Sequence, residues 1–426
     1  HSSEDAVATP AASKFAFSIG KYTVTVNTND ENKGTVSGAG EYLPGATATL
    51  TATPKEGYEL LYWSDRSKEN PRTITVDGNE ALSAYFIKKN DVEPTFSITQ
   101  VWENTNVPAS TDNGYQGAGW DGKIYVKDRG NDKIVVYSDA TTSVDYAQTD
   151  NADDQSIAVD DAGNLVLRSG SGFFYNAPTQ ITLYKKGETT YKTIDFTLPE
   201  TGRCDFISAS GDLFSAEGGY VYFYCNGQTV VNRVKIANGE FVGADEVGTA
   251  LGAGSTRNHV MMDIFGNLVA HPRSGVVNAI NFTTGASTAF TLPNHKKSTL
   301  GGCSFELGGK EFWAYNVGST NYNSEWNLYN YTDGKFLSET ALTVNDDDFT
   351  RNGAYANWLD VQVVEDTAFI YHYCPKVGVA VWKVTFTVPA VVTTMEELKA
   401  HEGQLVLYKG LEPAAVAVES PWGTEY

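Results

Sequence analysis

Charge is scarce in this sequence. Only 19% of its 426 residues are Asp, Glu, Lys or Arg, and methionine occurs three times. Low charge beside abundant Tyr, Thr, Val and Gly works against helical bundles and favours strands and tight turns. Basic residues are the scarcer half, with 31 Lys plus Arg against 52 Asp plus Glu and a net charge of −21. That excess repels phosphate backbones and excludes nucleic acid as a partner. Long apolar runs are missing too. No window approaches the ~18 uninterrupted apolar residues of a membrane helix, so no membrane-spanning segment is expected.

Cysteines are few: Cys204, Cys225, Cys303 and Cys374, with no C-x-x-C pair and no Cys/His grouping at zinc-site spacing. A zinc site is therefore not expected. Small buried cysteines are the leading expectation, and a Cys204–Cys225 bridge is the alternative open to an exported chain. The first stretch, His1 to Lys14, is polar and has no apolar signal core. It reads as a flexible tether on a mature form whose targeting peptide has been removed.

Catalytic signatures are also lacking. There is no P-loop, H-E-x-x-H or G-x-S-x-G stretch. Gly117-Ala-Gly-Trp-Asp-Gly122 satisfies G-x-G-x-x-G, but a strand at Lys123 to Val126 follows it. A dinucleotide site needs a helix there, so the match reads as a turn. Asp346-Asp-Asp348 lacks the alternating ligands and closing Glu of a calcium loop and reads as a solvated loop. Asp205, Asn258 and Asp360 sit near inner-strand starts and could converge as metal ligands, yet such residues are common in surface loops. No metal, cofactor or catalytic residue is assigned.

What is present falls into blocks. Residues 22 to 86 alternate as strands at Tyr22 to Val26 and Ala46 to Ala52, with Pro54 and Gly57 as punctuation and further strands at Leu60 to Trp63, Thr73 to Val76 and Leu82 to Phe86. The run GTVSGAGEYLPGATATLTATPKEGYELLYWSD, then TITVDG and LSAYF, resembles the divergent internalin-B-type B-repeat, a small β-grasp-like module. Gly34, Gly40, Tyr42, Gly45, Pro54, Gly57, Tyr58, Trp63 and Phe86 carry the pattern. Arg66 stands where a turn glycine is common, which implies a longer turn after Trp63. The resemblance implies an extracellular spacer or adhesion module of a bacterial surface protein. Trp63 and Phe86 are expected in its core, because a module this small needs large apolar side chains.

Residues 95 to about 390 repeat internally. A turn glycine, a polar residue and an apolar pair recur at Gly122, Gly163, Gly211, Gly266 and Gly309, with a degenerate sixth copy at Asp366. Intervals of 41 to 57 residues suit four short strands and their turns, the period of a propeller blade. The last copy has only three strands. Phe96 to Trp102 lacks a blade of its own and is expected to close that edge. The expected fold is thus all-β: a small β-grasp-like repeat domain (15–88), then a six-bladed β-propeller (95–390) whose N-terminal strand closes the last blade. This resembles the six-bladed NHL-like and lactonase-like propellers of secreted proteins. The tether is 1–14. The tail, 391–426, carries a capping-box pattern at Thr394-Met-Glu-Glu397 and a final strand near Gln404 to Tyr408.

Arginine placement is the strongest hint of a site. Seven of nine arginines lie in the repeat segment. Arg129, Arg168 and Arg273 fall near turns between second and third strands, and Arg203, Arg257 and Arg351 in connections between blades; both classes open on one face. Phe173, Phe174, Tyr175, Tyr315, Tyr322, Trp326, Tyr355 and Trp358 accompany them. Guanidinium forks beside exposed rings suit a ligand with carboxylate or sulfate groups and apolar sugar faces. The plainer alternative is that the arginines pair with loop aspartates while the rings cap strands. The candidate ligand-binding set is Arg168, Tyr175, Arg203, Arg257, His271, Arg273, Tyr322, Trp326, Arg351 and Trp358. The expected function is an exported, lipid-anchored, monomeric cell-surface protein that binds a glycan or surface protein. A propeller hydrolase, lyase or lactonase acting on polysaccharide fragments is the alternative.

Overall fold

Alternation writes the first module. In Tyr22–Thr28 and Ala46–Pro54, Val24, Val26, Ala48, Leu50 and Ala52 fall on one side and are buried, while threonines face outward. The computed structural model describes residues 20–90, 92–107, 113–128, 130–149, 156–169, 178–199, 202–204, 206–248, 251, 259–271, 277–293, 302–316, 326–340, 358–375, 377–404, 406–409, 418–420 and 423–425. In the module, Tyr22–Thr28 and Glu80–Lys88 pair in parallel at the centre of a four-stranded sheet, flanked by Gly40–Tyr42 and Tyr58–Trp63. A three-stranded sheet, Gly34–Ser37, Ala46–Pro54 and Arg72–Val76, covers it. Trp63 and Phe86 are fully buried between the two, as expected. A Cβ on Gly34 would lie 2.5 Å from the Phe86 ring, so that glycine is a packing requirement.

The turn after Trp63 is not lengthened. Trp63 N donates to Ser67 O at 2.8 Å and Arg66 N to Trp63 O at 2.7 Å, with Arg66 itself at φ 68°. An arginine occupies the left-handed conformation that favours glycine.

The repeat segment forms six four-stranded antiparallel sheets. From inner to outer strand, sheet one is Asn113–Trp120, Lys123–Asp128, Lys133–Tyr137 and Ser143–Gln148. Sheet two is Ile157–Val159, Leu165–Ser169, Gln180–Tyr184 and Tyr191–Asp195. Sheet three is Ser208–Gly211, Gly219–Phe223, Val231–Ala237 and Glu240–Val247. Sheet four is His259–Met262, Leu268–His271, Val277–Ile280 and Ser287–Phe290. Sheet five is Gly302–Leu307, Lys310–Asn316, Trp326–Asn330 and Lys335–Thr340. Sheet six is Trp358–Val364, Thr367–Cys374, Gly378–Thr387 and, from the other end of the segment, Thr95–Asn104. Each inner strand lies against the next sheet's inner strand, and the sixth returns to the first. That closed ring is a β-propeller, zipped by Thr95–Asn104 as its outer strand.

Five of the six repeat anchors open a second strand. Gly122, Gly163, Gly266 and Gly309 have φ of 73–90°, and in the degenerate copy Glu365 takes φ 50°. The third anchor is displaced. Gly211 ends its inner strand, and the second strand begins only at Gly219 after a longer turn. The dinucleotide-like match also resolves into packing. Gly117 and Gly119 lie on the inner strand of sheet one against Tyr373 and Tyr371, and Gly122 makes the turn.

All four cysteines are buried free thiols. The neighbouring Cys204 thiol, and then burial, push the Cys225 thiol well up. In the tail, Thr394 and Glu397 form the expected capping box of Met395–Ala400, and Val406–Tyr408 pairs with Ala390–Val392.

Candidate functional site

Antiparallel order divides the ring into two ends. Connections between sheets, and those joining second to third strands, leave from one end, here called the loop end. Turns joining first to second and third to fourth strands lie at the opposite, turn end.

The described members of the candidate set occupy the loop end but do not form one patch. Arg168 is buried near the end of Leu165–Ser169, close enough for its charge to favour the Cys225 thiolate. Arg203 is half-buried in the connection to sheet three, where its carbonyl accepts Asn226 N at 2.8 Å. His271 closes its strand opposite His259. Trp326 is fully buried in sheet five, its ring 5.9 Å from Trp382. It is a core residue, not an exposed stacking surface. Trp358 is buried too, with its ring 4.2 Å from the His259 ring and 5.6 Å from Phe206. These three side chains meet across the axis at the loop end. Burial holds His259 neutral by lowering its pKa to about 3. Tyr175, Arg257, Arg273, Tyr322 and Arg351 lie outside the described residues, as do Arg129, Phe173, Phe174, Tyr355, Asp205, Asn258 and Asp346 to Asp348.

Offsets from the anchors suggest a ring at Lys127, Arg168, Ala216, His271, Ala314 and Tyr371. Lys127 is fully buried, bonded to Thr149 and 3.7 Å from Asp132. Ala216 lies in the long turn of sheet three, and Ala314 and Tyr371 are core.

A cavity of about 280 Å³ runs down the axis, lined by inner-strand residues including Gln116, Ser208, His259, Cys303 and Asp360. Its carboxylates serve as ties. Asp160 Oδ1 accepts from Ala162 N and Asn164 N at 3.0 and 2.9 Å, while Oδ2 takes Leu213 N of the next sheet at 2.9 Å. Asp161 Oδ2 accepts Gly211 N at 2.7 Å. Asp263 repeats the turn, accepting from Phe265 N and Asn267 N. This Asp-x-x-Gly-Asn pattern at 160–164 and 263–267 is a repeat signal that the turn-glycine reading passed over. A second is the Asn at the second position of three third strands, Asn232, Asn278 and Asn327. Asp360 Oδ2 accepts Gly119 N at 3.2 Å and Oδ1 accepts Val361 N at 2.9 Å, joining sheet six to sheet one. Among the described residues no cluster of three His, Cys, Asp or Glu could hold a metal ion.

Burial raises Asp360 to about 6, above the ~4 of an unfolded aspartate. A raised carboxylate contributes most stability below its unfolded pKa and loses it as pH climbs through the folded value. Between pH 4 and 7 the variant Asp360→Asn should therefore gain up to ~3 kcal/mol relative to the unchanged protein. Urea unfolding at several pH values measures this; a difference constant with pH would contradict it.

The turn end holds the most elaborate polar contact. The module sits there against sheets four and five. Arg66 Nη1 and Nη2 donate to Glu311 Oε2 and Oε1 at 2.6 and 2.9 Å, and Asp263 Oδ2 lies 3.6 Å from Nη2. Tyr62 OH donates to the same carboxylate, as does Trp313 Nε1 at 2.7 Å. Asn281 Nδ2 donates to Ala81 O at 2.7 Å, and Asn267 Nδ2 to Ser64 O at 3.4 Å. Beside this contact a groove of about 360 Å³ separates Asp65, Arg72 and Glu80 of the module from Asn281, Thr284 and Thr288 of sheet four.

The ordered glycines, Trp63 and Phe86 of this module agree with a known family. Residues 22–90 match the divergent InlB B-repeat domain. Modules of this family are typical of bacterial surface proteins. The B-repeat spans this first unit only. Among curated proteins no match was found. Among solved structures, the propeller is similar to the WD40 β-propeller domain of Doa1, with 9% identity, a TM-score of 0.38, and coverage of 68% of this chain and 97% of that one. The closed ring of sheets, not this likeness, establishes the propeller here. No helix among the described residues is long and apolar enough to cross a membrane.

Proposed function

We propose that the protein is an exported, lipid-anchored and monomeric cell-surface binding protein whose propeller takes its ligand at the loop end. The supporting observation is the seat of the B-repeat. It packs on the turn end of sheets four and five through Arg66, Asn267 and Asn281, so the loop end faces away from it. Arg203 stands in that end. Arg257, Arg273 and Arg351 fall in sequence between strands whose described ends reach it. In a chain of net charge −21, such a set favours anionic carbohydrate over other ligands, because approach elsewhere meets repulsion. The alternative, a hydrolase, lyase or lactonase, draws on the raised Asp360, but both oxygens of that carboxylate already accept backbone N–H groups.

The double change Arg203→Ala and Arg257→Ala, titrated by calorimetry with uronic-acid and sulfated oligosaccharides, is the test. Charge-assisted pairs contribute ~1.5–3 kcal/mol each when desolvated, so binding should weaken at least tenfold. Unchanged affinity in the double variant rules out these arginines as ligand contacts.

A further inference from the structure

Arg66 adopts φ 68°, the left-handed conformation that favours glycine, and pays a backbone cost to stand there. What it reaches accounts for the choice. Its guanidinium carbon lies 4.4 Å from the Tyr331 ring centroid, 5.1 Å from Phe290, 5.6 Å from Phe265 and Trp313, and 6.0 Å from Tyr62. Four of these five rings belong to the propeller. At the floor of the cage is Glu311, fully buried, on the second strand of sheet five. Trp313 Nε1 orients one of its oxygens, and Thr332 Oγ1 accepts its backbone N–H at 2.8 Å.

A carboxylate taken wholly out of water is very costly unless a cation meets it. Here the fork geometry of a planar guanidinium fits both oxygens, and aromatic faces surround the cation where a compact ammonium would lose hydration. The neighbouring Asp263 shares the charge at 3.6 Å. The receptor is thus built almost entirely by the propeller, and the cation comes from the B-repeat.

We propose that the turn end of the propeller carries a binding site for one guanidinium group, that Arg66 is its resident ligand in cis, and that this occupancy clamps the B-repeat and propeller into one body. The module is then a docked part of the propeller and not a swinging spacer.

The test uses the full chain. Arg66→Gly empties the cage and also relieves the left-handed backbone, so any loss reports the missing cation. Tm should fall by roughly 5–10 °C. Propylguanidinium chloride at about 10 mM, far below denaturing concentrations, should restore at least half of that fall. Sodium chloride at equal ionic strength should not. The unchanged protein, and Arg66→Gly combined with Glu311→Gln, should gain nothing from propylguanidinium. Arg66→Lys keeps the charge without the fork and should retain less than half of the stability that Arg66 supplies. Should Arg66→Gly fail to fold, refolding it with and without propylguanidinium reads the same site. No rescue in either format, or equal rescue in the double variant, overturns the proposal. Scattering from Arg66→Gly should broaden as the two units separate, and an unchanged profile would refute the clamp.

Discussion

A chain shortened to begin at residue 105 is expected to lose cooperative unfolding, whereas one beginning at residue 92 keeps it. Both lack the B-repeat, so their difference isolates Thr95–Asn104. That strand pairs with Gly378–Thr387 at nine positions, from Val379↔Asn104 to Thr387↔Thr95. Its Phe96 ring packs edge-on at 4.8 Å against Phe312 of sheet five, and Trp102 packs with the cluster around Tyr371 and Tyr373. Half-buried side chains of this size supply roughly 1–2 kcal/mol apiece, and each ladder hydrogen bond ~0.5–1.5 kcal/mol net. Their sum approaches the ~5–15 kcal/mol that typically holds a domain together. The shorter chain would also expose the backbone groups of Val379–Thr387 as an unpaired apolar edge, which invites association. Calorimetry and near-ultraviolet circular dichroism distinguish the two chains. Equally sharp transitions at the same temperature would show that the ring does not depend on this strand.

Gly119→Ala should be among the most damaging single methyls in the propeller. A Cβ there would lie 2.0 Å from Tyr371 Cγ and 2.2 Å from its Cβ. The ring has little freedom to retreat, because its hydroxyl donates to Gln362 Oε1 at 3.0 Å and accepts Gly122 N at 3.0 Å. Either the inner strand of sheet one shifts or both bonds break. Overpacking of this kind costs ~1–3 kcal/mol and occasionally more, and the crowding here points to the upper end. Gly122→Asn is the control: that position has φ 73° and open space, and asparagine tolerates such a backbone. Chemical denaturation should place Gly119→Ala well below Gly122→Asn. Comparable midpoints for the two would mean that Tyr371 yields more easily than its bonds suggest.

Strand alternation and turn glycines carried most of the architecture. The B-repeat, the six sheets and the closing strand could be read from them because turns with positive φ favour glycine, which marks most of them. Blade three misled for the same reason. Gly211-Asp-Leu-Phe214 has the composition of an anchor, but the preference of Asp212 and Ser215 for side-chain to backbone bonds makes a turn of it. Gly219, which truly precedes the second strand's aromatics, lacks the polar residue that the pattern required. The site was less legible. Loop position suggests exposure for Trp326 and Trp358, yet their burial depends on His372, Trp382, His259 and Phe206, which are distant in sequence. Arg66 was visible as a departure from its family, but its partner Glu311 lies 245 residues away and no local pattern joins them.

The closing strand has a consequence for timing. Ser97 and Thr385 meet across 288 residues, so the first-made strand of the ring waits for the last. Until residue 387 emerges, Thr95–Asn104 has no complete partner strand. Contacts that close so long a loop form slowly, and an open ring leaves its edges available to other chains in the meantime. The B-repeat, whose first and last strands are separated by about sixty residues, completes itself long before. A nascent molecule therefore carries a finished module ahead of an unfinished ring. Misassembly during synthesis is then a hazard of the propeller alone, concentrated at one seam.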